Sequence, residues 1–378
     1  MRQQLRILLT HVYCWPEVRR GGERYVHELA SALQEAGHLV RIVATAPEPY
    51  TDEVLGVQTK RLERRSGNET RFHEFAPEVA FGREVLMRHA FDRLDVWHAF
   101  GTADAAAAAF LSKIRRIPKV RSVYTDLGGP LRSYRAARPD HRLFKYAVDN
   151  LDAYLCLSES TRALLQSDYY RRGLVVGGGV DLDRFKPEGA RAKEPTILFM
   201  SAMGESRKNL TLLLEAFNLL LAKRPDARLR LSGPGSPDDA LAGSTPRVRA
   251  ATDVLGVGAV GDLQRMYREA WVTALPSTRE AFGLVLVESL ACGTPIVAIA
   301  NSGGPAEIVQ PGIGAVAIDE TPMALADACL EALDLAEEGD ATRDRCRAVA
   351  EAQYGWREAI VPRLEQIYRG QLTEKTRS

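Results

Sequence analysis

The chain has 378 residues, long for one domain and comfortable for two of about 150 residues each. Its 46% hydrophobic and 26% charged residues are ordinary for a soluble globular protein, and a formal charge of +1 excludes a global field that would draw nucleic acid. Residues 1–190 hold 29 Lys and Arg against 24 Asp and Glu and the remainder 21 against 25, an asymmetry that fits a solvated basic surface or a face for anionic lipid or an anionic substrate.

Leu5–Thr10 (LRILLT) reads as a buried strand. Gly21–His38 follows, with Tyr25, Val26, Leu29, Ala32 and Leu33 at helical spacing and Gly37 at a helix C′ position, where positive φ is needed. Leu39–Ala44 is the next strand, so the chain opens β-α-β and predicts a parallel sheet covered by helices. Further strands are predicted at Asp95–Ala99, Lys119–Tyr124, Ala153–Leu157 and Gly173–Val176, and the charged, Pro-flanked Pro187–Pro195 reads as a linker. Alternation then restarts. Thr196–Ala202 is a strand, Leu210–Leu221 a helix, Ala227–Gly233 and Trp271–Ser277 strands, Gly283–Ala291 a helix and Pro295–Ala300 a strand. Two such lobes in series predict a hinged pair with a ligand cleft between them.

The five cysteines (Cys14, Cys156, Cys292, Cys329, Cys346) show no CxxC spacing, and no secretory signal occupies Met1–Arg6. Reduced thiols in a cytoplasmic protein are expected. The longest apolar run, Phe282–Ala300, contains Glu288 and is broken by Gly293 and Pro295, which favours a buried helix and strand over a membrane span.

The most informative stretch is Ser277–Val309, where Glu280 and Glu288 stand with seven residues between them, Gly283 among these. Gly283 opens a helix whose first-turn N–H groups suit a phosphate, and its missing side chain lets a ligand approach the backbone. Glu288, four residues after Leu284, lies one turn behind that end, where a carboxylate accepts from both ribose hydroxyls. Glu280 falls on the sugar side. Two glutamates at this spacing are also common on solvated surfaces; the flanking residues decide. Pro276, Ser277, Glu280, Phe282, Gly283, Glu288 and the Cys292–Pro295 turn, followed by Gly303, Gly304 and Glu307, closely resemble the hallmark of family 4 glycosyltransferases.

The resemblance spans nearly the whole chain. Gly21–Ala30 is similar to the family's N-terminal glycine loop and helix, Ser158–Leu165 and Gly177–Pro187 to the segments closing the first lobe, and Arg207–Asn209 to the loop whose lysine faces the phosphates. It implies the α/β GT-B fold: two Rossmann-like lobes facing a central cleft, with a C-terminal helix that begins near Tyr354–Trp356 and returns to the first lobe. The expected divisions are 1–190 for the acceptor-side lobe, 191–355 for the nucleotide-sugar lobe and 356–378 for the returning helix and tail. It further implies a retaining, metal-independent transfer from a nucleoside-diphosphate sugar, expected to be a UDP-sugar, with no cofactor. Lys208, Glu280 and Asp126 are the expected catalytic residues. Gly22, Arg207, Phe282, Gly283, Leu284, Val285 and Glu288 are the expected donor-binding residues. The acceptor is expected to be a small molecule, a saccharide or a lipid-linked group, with peripheral membrane contact through the basic first lobe and no nucleic acid. Arginine and alanine usage hints at a bacterial source.

Two positions depart from the family pattern. Met203 and Ala202 stand where an arginine partner of the lysine is usual, with Arg207 as the candidate substitute, and Thr125 replaces the histidine of a His-Asp pair while Asp126 is retained. These departures keep two alternatives open: a nucleotide-sugar-binding protein without turnover, and a GT-B epimerase of nucleotide sugars. His98 is read as a satisfied structural histidine. The Gly128–Arg142 loop, with Arg132, Arg135, Arg138, Arg142 and Tyr134, suits an anionic acceptor or is a plain solvated loop. Gly256–Gly261 (GVGAVG) fits the GxGxxG of a dinucleotide site, but no long apolar strand precedes it in Pro246–Leu255. Asp181-Leu182-Asp183 reads as a turn rather than a metal-binding DxD, and the seven histidines lack paired ligand spacing.

Overall fold

The computed structural model describes residues 3–18, 21–64, 76–114, 119–136, 138, 140–257 and 260–374. The chain divides into two compact units, Met1–Gly177 with Ile360–Ser378, and Gly178–Ala359. In chain order the first unit contains β1 (Arg6–Thr10), α1 (Gly21–Glu35), β2 (Leu39–Ala46), β3 (Tyr50–Val54), β4 (Val57–Glu63), α2 (Ala76–His89), β5 (Val96–Ala99), α3 (Thr102–Ile114), β6 (Arg121–Thr125), α4 (Arg132–Ala136), α5 (His141–Asn150), β7 (Ala153–Cys156), α6 (Glu159–Tyr169) and β8 (Leu174–Val175). The second contains β9 (Thr196–Met200), α7 (Leu210–Lys223), β10 (Arg228–Ser232), α8 (Pro237–Ala240), α9 (Pro246–Ala250), β11 (Thr252–Gly256), α10 (Val260–Glu269), β12 (Val272–Leu275), α11 (Leu284–Ala291), β13 (Ile296–Ile299), α12 (Gly304–Ile308), β14 (Gly314–Ala317), α13 (Pro322–Glu337) and α14 (Asp340–Gln353). A π-helical turn at Trp356–Ile360 leads into α15 (Val361–Tyr368), which belongs to the first unit.

The first sheet has the order β3-β4-β2-β1-β5-β6-β7-β8, parallel except for the β3–β4 hairpin. That hairpin closes through Leu55 and Gly56, both at positive φ, the two-residue turn whose twist matches its strands. It was not predicted: Lys60 and Glu63 interrupt the apolar pattern of β4. α1 forms as its periodicity predicts and buries Tyr25, Val26, Leu29, Ala32 and Leu33.

α15 is fastened to the first unit by two buried histidines. His38 Nδ1 accepts from the Leu5 N–H at 3.2 Å, so its Nε2 carries the ring proton and donates to Glu365 at 2.9 Å. His98 lies 2.7 Å from the Tyr368 hydroxyl through Nδ1 and 2.7 Å from Thr125 Oγ1 through Nε2. Burial depresses its basicity to about 3, so the imidazole is neutral.

The second sheet is wholly parallel in the order β11-β10-β9-β12-β13-β14. Counted from β9, this is the doubly wound order 3-2-1-4-5-6, whose connections reverse direction between β9 and β12. β11, β14 and the helices α13 and α14 went unpredicted; the two strands are short and lie at the sheet edges. The chain divides at 177 and 178 rather than at the expected 190 and 191. Residues 187–195, read as a linker, are tied into the second unit. Ala192 N donates to the Glu269 carbonyl, Trp271 Nε1 to the Ala192 carbonyl, and Arg343 to the Pro187 and Gly189 carbonyls.

All five cysteines are buried and none pairs with another. Among the described residues no helix is long and apolar enough to cross a membrane.

Candidate active site

In an open α/β sheet, ligands bind beyond the carboxyl ends of the strands where the winding reverses. In the second unit that place is beyond β9 and β12. β9 runs out into Ser201–Asn209 and β12 into Pro276–Gly283. These two loops carry Lys208 and Glu280, which the sequence separates by 72 residues and the sheet order brings together.

Three sets of backbone bonds hold the Glu280 loop. The Thr278 N–H donates to the Arg207 carbonyl at 2.8 Å, the Glu280 N–H to the Ser302 carbonyl at 2.8 Å, and the Gly304 N–H to the Glu280 carbonyl at 2.9 Å. Gly304 is required here, since a Cβ would stand 2.4 Å from the Ala281 carbonyl oxygen. The paired glycines after β13 therefore let two backbones meet. Asn209 and Arg279, one on each loop, adopt left-handed backbone with φ of 52°, a conformation uncommon for residues with a side chain.

On this frame Lys208 Nζ donates to Glu280 Oε2 at 2.5 Å, and Arg207 NH1 donates to the same oxygen at 2.9 Å. Arg207 also pairs with Glu205 at 3.0 Å. Lys208 is largely buried, whereas 42% of the Arg207 side chain is exposed.

Gly283, at φ 110°, is the N-cap of α11. Leu284 and Val285 occupy the helix's first turn, where backbone N–H groups point out of the end and carry partial positive charge. Phe282 is buried, its ring edge-on to Tyr354 at 5.8 Å. Glu288 is buried on α11, and the Tyr267 hydroxyl of α10 donates to its Oε2 at 2.7 Å. Tyr267 was not singled out from sequence; an apolar residue at that place on α10 would have given the same helical pattern.

Met203 is buried in the second unit's core with Phe199 and Leu210, and Gly235 lies beneath it. A Cβ on Gly235 would approach Met203 Cβ to 2.8 Å, so the Gly233–Gly235 loop closes over this side chain. A cation at 203 would be buried there, which leaves Arg207 as the second cation beside Glu280.

In the first unit Asp126 follows β6 and is deeply buried. Its Oδ1 accepts from the Gly128 and Gly129 N–H groups at 3.0 Å, both oxygens accept from Arg135 NH2 at 3.0 Å, and Oδ2 accepts from the Tyr154 hydroxyl at 2.7 Å. Burial works against the Arg135 charge, but Asp126 together with Tyr124, Tyr154 and Asp140 outweighs it, and the guanidinium is held protonated. Arg138 is likewise taken up, by Asp140 at 3.0 Å. Of the four loop arginines, Arg132 and Arg142 are the exposed ones; of Tyr134 only the backbone lies within the described residues. Gly22 is the second residue of α1, not part of a loop before it, and its Cβ direction faces Leu127 Cδ1 at 3.1 Å.

A second buried carboxylate, Asp104, sits where the first sheet reverses between β1 and β5. Its Oδ2 accepts from Thr10 Oγ1 at 2.6 Å, and burial raises it to about 7. It was not singled out from sequence, where it is one acid in the first turn of an alanine-rich segment.

Gly256, which opens the GxGxxG match, ends the edge strand β11, while Gly258 and Ala259 lie outside the described residues. The strand before the motif, β11, is neither long nor apolar, and it is third from the winding reversal, not first. Asp181 accepts from the Asp183 and Arg184 N–H groups at 3.0 and 3.1 Å, a turn closed on itself. Among the described residues no three His, Cys, Asp or Glu side chains converge as metal ligands would.

The family described as "Glycosyl transferases group 1" matches residues 181–353, and "Glycosyltransferase Family 4" matches residues 19–184. A D-inositol 3-phosphate glycosyltransferase of Pseudarthrobacter chlorophenolicus is 27% identical over 91% of this chain and 89% of its own. A phosphatidyl-myo-inositol mannosyltransferase of Mycobacterium tuberculosis is 25% identical over 93% of each chain. The fold is shared with sucrose-phosphate synthase of Thermosynechococcus elongatus, at a TM-score of 0.78 and 23% identity over 97% of this chain and 99% of that one. Anabaena HepE, solved in complex with UDP-glucose, shares it at a TM-score of 0.72 and 18% identity over 97% and 99%. The two family matches run without a gap from residue 19 to residue 353, and the chain belongs to the family 4 glycosyltransferases of the GT-B fold.

Proposed function

We propose that this glycosyltransferase moves a sugar from a nucleoside-diphosphate donor, expected to be UDP-linked, with retention at the anomeric carbon and without a metal ion. The observation that carries the reading is the convergence of Lys208 and Arg207 on Glu280 beside the α11 N-terminus, at the winding reversal of the second unit. As the bond from the anomeric carbon to the diphosphate oxygen breaks, the leaving group gains negative charge. Lys208 and the first-turn N–H groups of Leu284 and Val285 are the fixed positive groups to meet it. The acceptor oxygen forms the new bond on the face the diphosphate leaves, and its proton passes to the departing phosphate oxygen. In this reading Glu280 orients the sugar hydroxyls and holds Lys208, while Glu288 accepts from the ribose.

Two relatives are named for phosphorylated inositols. An anionic acceptor would suit the exposed Arg132 and Arg142 of the first unit.

Calorimetry with UDP, GDP, ADP, CMP and NAD, each with Mg²⁺ or EDTA, tests the reading. Tight binding of one nucleoside diphosphate, unchanged by EDTA, is expected, and Glu288→Ala should weaken it ten- to a hundredfold, about 1.5–3 kcal/mol for hydrogen bonds to a charged acceptor. Binding that needs Mg²⁺, a preference for NAD, or an unchanged affinity in Glu288→Ala would overturn it.

A second reading, a nucleotide-sugar-binding protein without turnover, draws on Met203 being buried and on the Thr125 hydroxyl being engaged by His98. Slow hydrolysis of the bound donor in the absence of acceptor would exclude it.

A further inference from the structure

We propose that Tyr267 is a positioning residue that fixes the Glu288 carboxylate for a ribose, so that the site takes ribonucleoside diphosphates and rejects their 2′-deoxy forms. The inference rests on the donor reading above, in which Glu288 accepts from the ribose. Tyr267 lies on α10 and is fully buried, and its hydroxyl donates across to Glu288 Oε2 on α11 at 2.7 Å. A glutamate carries its carboxylate on several rotatable bonds and has many rotamers of similar energy. A donor fixed at one oxygen selects one of them and sets the plane in which the carboxylate meets a ligand. Accepting from two neighbouring hydroxyls at once requires that plane; accepting from one alone does not.

The tyrosine is itself held at both ends. Its ring packs edge-on against the buried Phe185 ring, centroids 6.0 Å apart. Its carbonyl lies in the last turn of α10, where helical carbonyls have no partner within the helix. Thr294 Oγ1 donates to that carbonyl at 2.7 Å. Thr294 belongs to the Cys292–Pro295 turn, and the residue after Glu288 ties this turn to α11. The Thr294 N–H donates to the Ser289 carbonyl at 3.0 Å, while Ser289 Oγ donates to the Thr294 carbonyl at 3.1 Å and meets Thr273 Oγ1 of β12 at 2.8 Å.

Thr273, Ser289 and Thr294 are buried as deeply as the core around them. Aliphatic side chains there would hold α10 to α11 by area alone. Buried hydroxyls that satisfy one another fix direction as well, because any rotation of one helix against the other leaves a polar atom without its partner. The threonine of the turn thus sets the height of Tyr267, and Tyr267 sets the orientation of Glu288. A site built in this way to hydrogen-bond a pair of hydroxyls leaves its carboxylate short of a donor when one hydroxyl is missing, which is the physical basis for rejecting the deoxy form.

Calorimetry of the full chain with UDP, GDP and ADP, each against its 2′-deoxy form and below the melting transition, tests this. The diphosphate that binds should outdo its deoxy form about tenfold or more. Tyr267→Phe keeps the ring and its packing; it should weaken the ribonucleotide about tenfold, leave the deoxynucleotide within about twofold and so erase the preference. Thr294→Val should shrink the same ratio about threefold, and Thr294→Ser should keep it. Tyr267→Phe added to Glu288→Ala should change nothing further. No preference in the wild type, or an equal loss of both forms in Tyr267→Phe, would overturn the inference, the second by giving the tyrosine a merely structural role. So would an unchanged ratio in Tyr267→Phe while Glu288→Ala weakens the ribonucleotide, an outcome that leaves the donor reading standing. An unchanged affinity in Glu288→Ala would remove the donor reading itself, and the inference with it.

Discussion

Asp126 and Glu280 are both carboxylates placed just beyond the carboxyl end of a central strand, one in each unit, yet their surroundings differ in kind. Asp126 has 3% of its side chain exposed and is met by two backbone N–H groups, a tyrosine hydroxyl and a buried guanidinium. Glu280 has 18% exposed and is met by the ends of two long cationic side chains that share one of its oxygens. An ionised carboxylate has about four acceptor sites, and internal donors fill those of Asp126. The cations on Glu280 can turn to a diphosphate without uncovering a buried charge. The comparison therefore assigns Asp126 to framework, tying the end of β6 to α4, and is consistent with the proposed role of Glu280 at a site whose charges a ligand would rearrange. This narrows the catalytic role that the family resemblance suggests for Asp126.

The largest expected effect lies on the Glu280 side. Lys208→Ala removes the most buried cation from the site, and the turnover of transfer should fall about a hundred- to a thousandfold, as for loss of one preorganised charge-stabilising group. The melting temperature should hardly move. A variant that loses stability but keeps turnover would place Lys208 in the framework class and break the comparison.

Asp126→Asn is the converse. It strips the charge from a buried pair and leaves Arg135 uncompensated, which costs about 3 kcal/mol of stability. Nucleotide affinity measured below the melting transition should be unchanged. If instead the protein stays as stable as wild type and transfer fails, Asp126 acts on substrate and the framework assignment is wrong.

How much of this was legible beforehand follows from where each residue sits. β1, α1 and β9 announce themselves through apolar runs or periodicity, because they lie against the centre of a core. β4 and β11 lie at or near a sheet edge, where polar side chains such as Lys60 and Asp253 face water, so neither pattern survives. The glutamates were visible because they stand at a fixed spacing around Gly283 within one loop and helix, and the lysine because Arg207–Asn209 resembles a short segment of the family; in the proposed function these are the groups that ribose and phosphate would constrain. The Asp126–Arg135 pair was not visible: a salt bridge that spans nine positions, from the end of β6 to α4, leaves no period, and Arg135 reads like its exposed neighbour Arg132. The Met203 departure was visible, but its cause, closure of the Gly233–Gly235 loop over it, requires the pairing of β9 with β10.

The framework side also has a pH signature. His98 is buried between the Thr125 and Tyr368 hydroxyls, stacked on Phe100 at 4.4 Å, and burial lowers its basicity to about 3. In the unfolded chain the same imidazole takes up a proton near pH 6.5. Between pH 6.5 and 3 the unfolded state therefore binds more protons, and stability falls as the pH falls. From pH 6.5 to 5 the loss due to this residue should be about 2 kcal/mol. His98→Gln should flatten that part of the stability profile, whatever it does to stability at pH 8. An unchanged slope would mean that the buried ring already takes up its proton in the folded state.

The smallest effect is expected at Arg207, and it is the one that sharpens the contrast most. Its side chain is half in solvent and divides its attention between Glu280 and Glu205, so its contribution is screened, and exposed pairs of this kind are worth about 1 kcal/mol or less. Arg207→Gln should then raise the donor KM about three- to fivefold, leave kcat within about twofold, and lose much of its effect at high salt. Restoring a cation by Met203→Arg is no substitute for this test, because position 203 is 7% exposed and packed in the second unit's core; a charge there damages the fold before it reaches a phosphate. If Arg207→Gln instead costs as much in kcat as Lys208→Ala, and does so at high salt, Arg207 leaves Glu205 and becomes desolvated against the leaving diphosphate during turnover. The absent arginine at 203 would then be replaced in full from the neighbouring loop position.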